Sequence, residues 1–223
     1  MHRHALRCLI AAALLAAPAL ADSPAAAAAT AASPAVRTAA APSPVRQAIV
    51  DRANRALTTA HLYKETRNGP VRLSKPGDSR NDNFLGGGNF NEYNGFNGDA
   101  WCGYFANAMW ANSAAAPDNH KSSRAWETGV GGRFHAYRPG QPPQRGDVIV
   151  WHNHDSRAPR GHVAVVVAVG GSDGRSVTTI EGNAGRGSDS ITMKTYRWVG
   201  AQGPKLPGRN NSTLKVRGFA SRS

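Results

Sequence analysis

The chain has 223 residues, with 27 lysines and arginines against 14 aspartates and glutamates, a formal net charge of +13. No repeat at solenoid spacing is visible, and no second domain boundary stands out, so the length points to one domain with one sizeable core. The basic residues are scattered, with mild density from Arg197 through Lys205, Arg209, Lys215, Arg217 and Arg222. There is no basic helix, zinc-finger spacing or aromatic-basic RNA-binding signature, so nucleic acid is not an expected partner.

Residues 1–21 read as a secretory signal peptide. His2, Arg3, His4 and Arg7 precede an apolar run from Leu9 to Ala17, and Ala19-Leu20-Ala21 is a small-x-small cleavage signal. The apolar run is too short for a lasting membrane span, and no other stretch approaches that length. Cleavage after Ala21 would give a secreted, extracellular or wall-located chain starting at Asp22. It would remove Arg3 and Arg7, leaving 25 basic residues against 14 acidic ones, a net +11. Such a chain would be drawn to polyanions, among them anionic cell-envelope polymers; a role in solubility alone explains the charge equally well.

Cleavage also removes Cys8, one of the two cysteines, and leaves Cys102 as the sole thiol. An internal disulfide is then excluded, and a lone thiol in an exported chain is a candidate for intermolecular pairing or for reactivity. Residues 22–43 are almost entirely Ala, Pro, Ser and Thr, interrupted by Val36 and Arg37. They cannot bury enough apolar surface to offset chain entropy and read as a disordered spacer. The folded domain is expected over 44–223.

From Val45 the apolar spacing Val45, Ile49, Ala53, Ala56, Leu57, Ala60 predicts a packing helix running to Glu65. Gly69 to Gly98 is rich in Gly, Asn and Asp and reads largely as loop, with Asn89 to Phe96 interleaving aromatics and asparagines. Gly98-Asp99-Ala100-Trp101-Cys102 then turns into an apolar helix with Phe105, Ala106, Met109 and Trp110 on its buried face. Asp99 is the expected N-cap, which places Cys102 in the first turn, where a thiolate is favoured. The alternative is that Cys102 is a small buried core residue.

A short helix is expected within Ser122 to Thr128, and Pro139 to Pro143 is irregular. Strands are predicted at Val148–Trp151, His162–Val169, Ser176–Glu181, Ser190–Trp198 and Leu214–Ala220, with a turn at Gly170–Gly174. Helices followed by an antiparallel meander make the fold class α+β.

A reactive thiol needs a base, and the base needs an orienting group. Of the histidines beyond residue 21, His61 is read on the first helix and His120 and His135 on loops, all solvent-facing. His162 differs, because it opens the most hydrophobic strand directly after Gly161. The next strand ends in Glu181-Gly182-Asn183, opposite the start of its neighbour. Either Glu181 or Asn183 can accept an imidazole N–H there and fix the tautomer that faces the thiol. A solvated strand end for Glu181 and a turn role for Asn183 are the plain alternatives.

Four pieces in order carry a family resemblance: Ala100-Trp101-Cys102 with Phe105 and Trp110, Arg145-Gly146-Asp147-Val148-Ile149, Gly161-His162-Val163-Ala164-Val165-Val166, and Ile180-Glu181-Gly182-Asn183. With Tyr93-Asn94-Gly95 upstream they cover 93–185. This pattern resembles the CHAP domain, the cysteine, histidine-dependent amidohydrolase/peptidase family of bacterial cell-wall hydrolases. The resemblance implies a papain-like fold, with N-terminal helices packed on an antiparallel β-sheet. It also implies a peptidoglycan substrate, cut at the sugar–peptide amide or within the peptide. By the same resemblance Cys102 is the nucleophile, His162 the base, Glu181 the orienting acid and Asn183 a further polar member of the site. Gly103 stands where the family often has a residue with a side chain, which is not expected to affect the chemistry. Some members bind calcium through an acidic loop, but Asp82 and Asp99 are isolated among Asn and Gly here. No metal and no cofactor is expected.

Trp101, Trp151 and Tyr104 are candidates either for a substrate groove or for core. Two rival readings remain. His152-Asn153-His154-Asp155 after a strand offers part of a metal shell, though a lone His-x-His lacks the rest. Alternatively, the fold is catalytically inactive and binds envelope polymers by charge. Arg145-Gly146-Asp147 matches a cell-adhesion tripeptide by coincidence, and the sequons at Asn210 and Asn211 matter only if the source glycosylates exported chains.

Overall fold

Ser43 opens the first helix by accepting the Arg46 backbone N–H on its hydroxyl at 3.4 Å, and Pro44 follows at the first helical position. The computed structural model describes residues 43–77, 81–153, 160–171, 175–201, 203–206 and 214–223. The expected leader, nearly all of the spacer, residues 172–174 of the turn, His154, Asp155 and both sequons lie outside them.

Helix α1 (Pro44–Thr58) buries Ile49, Ala53, Ala56 and Leu57 of the stripe its spacing predicts, together with Val50; Val45 is half-buried, and Ala60 is exposed beyond the helix. It stops at Thr58 rather than at Glu65. The hydroxyls of Thr58 and Thr59 turn back onto the Arg55 carbonyl at 3.3 and 2.9 Å, and Thr59 is already extended. The chain then forms β1 (Leu62–Lys64), which pairs antiparallel with β2 (Val71–Leu73), Leu62 opposite Leu73. The Gly/Asn-rich stretch expected as loop therefore contributes β2, the short strand β3 (Asp82–Phe84) and a 3₁₀ turn at Glu92–Asn94.

Next come α2 (Cys102–Met109), the single-turn α3 (Ala125–Thr128) and β4 (Phe134–Ala136). The remaining strands are β5 (Val148–His152), β6 (Gly161–Gly170), β7 (Ser176–Ala184), β8 (Ser190–Arg197) and β9 (Lys215–Ala220). Seven strands form one antiparallel sheet in the order β3-β8-β7-β6-β5-β9-β4, so the fold is α+β. The predicted meander β5 to β8 is its centre. The edge strands β3 and β4 and the sheet place of β9 were not readable from patterning.

Alternation along the central strands gives the sheet two buried faces. Val148, Val150, Val163, Val165, Ile180 and Ile191 share one core with α1, Trp101, Phe105, Met109, Trp110 and Trp126. Ile149, Trp151, Ala164, Val166, Val177 and Tyr196 share the other with Trp198, Leu206, Leu214 and Val216. No helix among the described residues is long and apolar enough to cross a membrane.

Candidate active site

Cys102 is the first residue of α2, and the residue before it, Trp101, occupies the cap position without a side-chain cap bond. Asp99 does not cap the helix. It lies two residues further out, exposed, with Oδ2 3.6 Å from Lys121 Nζ. The loop before the helix is fixed by another residue, the buried Asn94. Its amide accepts from the Asn91 and Phe96 N–H groups and donates to the Asn89 and Asp99 carbonyls at 2.6 and 2.7 Å.

The helix start is clamped by packing. Trp101 has no exposure and stacks on Tyr93 with ring centres 5.6 Å apart, and Phe105 meets Tyr93 edge-on. Two glycines permit this closeness. A Cβ on Gly182 would stand 2.6 Å from Phe105 Cβ and Trp101 Cζ3, and one on Gly103 would stand 1.9 Å from the His120 carbonyl oxygen. The glycine at 103 is thus required by the packing of this chain, whatever its effect on chemistry.

His162 lies opposite Trp151 at the start of β6, 9% exposed. Its Nε2 is 3.0 Å from Glu181 Oε2, which leaves Nδ1 for the Cys102 thiol, to which its side chain is hydrogen-bonded. The sulfur also takes backbone hydrogen bonds from Val163 and Gly103. Burial works to raise the thiol pKa, but the His162 bond and charge outweigh it and the pKa is lowered from its ordinary value. Burial likewise opposes charge on His162, yet its bonds to Cys102 and Glu181 raise it to about 9. Glu181, with no exposure, is lowered to about 2: burial opposes its charge, and His162, Lys194 and Tyr196 more than compensate. The arrangement favours a thiolate–imidazolium pair backed by a carboxylate.

Asn183 sits two residues beyond Glu181 on β7 with a left-handed φ of 55°. Its buried Oδ1 has no hydrogen-bond partner among the described residues, so Glu181, and not Asn183, accepts the imidazole N–H. Left-handed backbone at a non-glycine residue beside a cluster of titrating groups is a strain that functional sites tolerate.

Three further residues hold Glu181 and were not foreseen. Thr179 Oγ1 and Tyr196 Oη each donate to Oε1 at 2.7 Å, and Lys194 Nζ approaches Oε2 at 3.3 Å. The period of two along β7 could have pointed to Thr179. The other two depend on the β7/β8 register, Thr179 opposite Lys194 and Val177 opposite Tyr196.

The other histidines fall elsewhere. His61 is neither helical nor solvent-facing: it is buried past the end of α1, Nδ1 2.5 Å from Glu92 Oε1 and Nε2 2.7 Å from the Ala56 carbonyl. His135 is exposed on β4 rather than on a loop. His120 is half-buried in a turn against the Tyr104 ring. Trp101 and Trp151 are core, the latter donating to the Pro204 carbonyl, whereas Tyr104 does line an open cavity of about 750 Å³ with Tyr93, Asn107 and His120. Of the suggested metal shell, His152 and Asn153 are buried at the end of β5 and His154 and Asp155 lie outside the described residues. Asp147 of the adhesion-like tripeptide is buried, paired with Arg46 at 2.6 Å and accepting the Gln144 N–H.

Comparison with known proteins gives no match among curated proteins and none among solved structures. A family model does match, that of the CHAP domain, over residues 92–183. The family is generally hydrolytic, with amidase and peptidase members, and is typical of bacterial cell-wall enzymes acting on peptidoglycan. The matched segment, Glu92 to Asn183, carries Cys102, His162, Glu181 and Asn183, the residues through which the sequence resembles that family.

Proposed function

We propose that the protein is a secreted thiol hydrolase that cleaves amide bonds in peptidoglycan, as an N-acetylmuramoyl-L-alanine amidase or a peptide endopeptidase. One observation carries this reading: the Cys102 thiol at the helix start is bonded to His162, whose far nitrogen rests on the buried carboxylate of Glu181. Helices α1 and α2 on one face of the sheet are in keeping with a papain-like arrangement.

In this reading the Cys102 thiolate attacks the amide carbonyl carbon and a C–S bond forms. The carbonyl oxygen gains the negative charge, and the Cys102 backbone N–H, which has no intrahelical acceptor at the first helical position, donates to it. The His162 imidazolium gives its proton to the leaving nitrogen as the C–N bond breaks. Neutral His162 then takes a proton from water, which attacks the thioester, and the thiol is regenerated as the carboxylic acid leaves. Glu181 holds the imidazole in the tautomer that faces the sulfur, and Asn183 contributes a polar side chain beside it. The removal of residues 1–21 and a spacer over 22–43 complete the proposal. Attraction of the basic chain to anionic envelope polymers brings the domain to the wall.

The test is a Cys102→Ala variant assayed on purified peptidoglycan beside the unmodified chain. Loss of fragment release with an unchanged melting temperature supports the thiol mechanism, and mass spectrometry of the fragments names the bond. Activity abolished by chelation, but not by iodoacetamide, would overturn it in favour of a metal hydrolase. A folded chain that binds walls and releases nothing would leave the inactive envelope-binding reading.

A further inference from the structure

Glu181 has more partners than an orienting carboxylate requires, and its two oxygens are used differently. Oε1 takes two short hydroxyl bonds, from Thr179 and Tyr196, each 2.7 Å. Oε2 faces His162 Nε2 at 3.0 Å and Lys194 Nζ at 3.3 Å. The last torsion of a glutamate is broad and roughly two-fold, so a free carboxylate would present either oxygen over a range of angles. Two donors converging on one oxygen remove that freedom and leave the other for the imidazole. Thr179 has one hydroxyl proton, and its 3.4 Å approach to the Lys194 carbonyl is the poorer use of it. Tyr196 is a dependable donor, since burial and then the Glu181 charge hold its phenol above the ordinary range.

We propose that Thr179 and Tyr196 are positioning residues, which lock Glu181 so that Oε2 alone meets His162 while Lys194 supplies a standing counter-charge. The proposal rests on the reading of Cys102 and His162 as the reacting pair. In that cycle His162 alternates between imidazolium and neutral imidazole. Whenever it is neutral, Glu181 would be a buried carboxylate without a cation, a costly state that Lys194 avoids. Among the described residues, the titratable groups that act on the imidazole or its carboxylate are Cys102 on α2, Glu181 on β7, and Lys194 and Tyr196 on β8; His152, buried at the end of β5, falls by strand alternation on the sheet face that α2 covers.

Removing the lock and removing the counter-charge act with opposite sign. Without the hydroxyls the carboxylate swings away and His162 loses its anion; without Lys194 the anion serves His162 alone. The experiment uses the full chain and follows the His162 imidazole by NMR titration, beside the pH–rate profile on purified peptidoglycan. Tyr196→Phe and Thr179→Val are expected to lower the His162 midpoint by about one pH unit each. They should lower kcat by about tenfold at unchanged KM, while Thr179→Ser restores both values. Lys194→Met is expected to raise the midpoint. A His162 midpoint unmoved in Tyr196→Phe and Thr179→Val would overturn the proposal, as would failure of Thr179→Ser to restore what Thr179→Val loses. Should Cys102→Ala leave hydrolysis untouched, the proposed function fails, but the His162 titration still decides whether the lock exists.

Discussion

The His162 ring is held from behind by Glu181, Nε2 to Oε2 at 3.0 Å, so the nitrogen that faces the Cys102 sulfur is fixed by a bond on the opposite side of the ring. Raised to about 9, His162 stays positively charged up to that pH and loses its charge above it. The lowered thiol gains its negative charge as pH rises through a value below the ordinary one. Hydrolysis is therefore expected to rise across the thiol ionisation, hold a plateau and fall as pH passes about 9. Alkylation by iodoacetamide, measured on the same samples, places the acid limb independently.

Stability should follow the same groups. Glu181 is lowered from 4.5 to about 2, so its contribution is complete above 4.5 and is lost as pH falls toward 2. His162 is raised from 6.5 to about 9, so its contribution is complete below 6.5 and is lost as pH rises toward 9. Melting temperatures measured across pH should show both contributions together only between 4.5 and 6.5. Glu181→Gln should flatten both flanks and move the alkaline limb of activity downward.

Gly182→Ala places a methyl against Phe105 and Trp101 at 2.6 Å. Overpacking of this kind costs about 1–3 kcal/mol, and here relief requires α2 to retreat from the sheet. The expected result is a modest drop in melting temperature with a disproportionate loss of activity and a thiol pKa moved back upward, read from alkylation rates.

Asn183 allows its side-chain role to be separated from its backbone role. Glycine adopts the 55° φ without penalty, so Asn183→Gly should melt at or above the temperature of the unmodified chain. Activity is expected to fall by about tenfold if the amide touches the substrate, one hydrogen bond being worth roughly that factor. Unchanged activity would remove Asn183 from the site.

Arg46 and Asp147 join α1 to the entrance of β5 through a 2.6 Å ion pair whose carboxylate has no exposure. Burial raises the Asp147 carboxyl, which the Gln144 N–H and Arg46 only partly offset. Arg46→Met leaves that carboxylate buried without its cation and is expected to cost about 3–5 kcal/mol, measured by chemical denaturation.

The centre of the sheet and the thiol, imidazole and carboxylate were legible because their signals are local. β-branched runs mark β5 to β8, and Cys102 and His162 stand at element starts where sequence alone can place them; Glu181 lies inside β7, which runs on to Ala184 beyond its expected end. What escaped depends on contacts between distant segments. The Gly/Asn-rich stretch carries β2 and β3, whose three-residue lengths leave no readable period. His61 falls past the end of the first helix and not within it, because two threonines close that helix early by capturing the Arg55 carbonyl. Asp99 looked like a cap by residue type, but the helix begins three residues later, at Cys102. Tyr196 and Lys194 meet Glu181 only through cross-strand register, which no single segment encodes.

The thiol and the imidazole are carried by different elements, α2 and β6. Cys102 rides on the helix that packs with one core, while His162 neighbours Trp151 of the other, across the same sheet. Under the proposed function the thiol–imidazole pair is thus a strain gauge for the cohesion of these layers. Gentle heating that lets α2 drift from β6 and β7 should silence the chain while the sheet remains intact. Inactivation would then precede melting, and cooling would restore turnover without refolding.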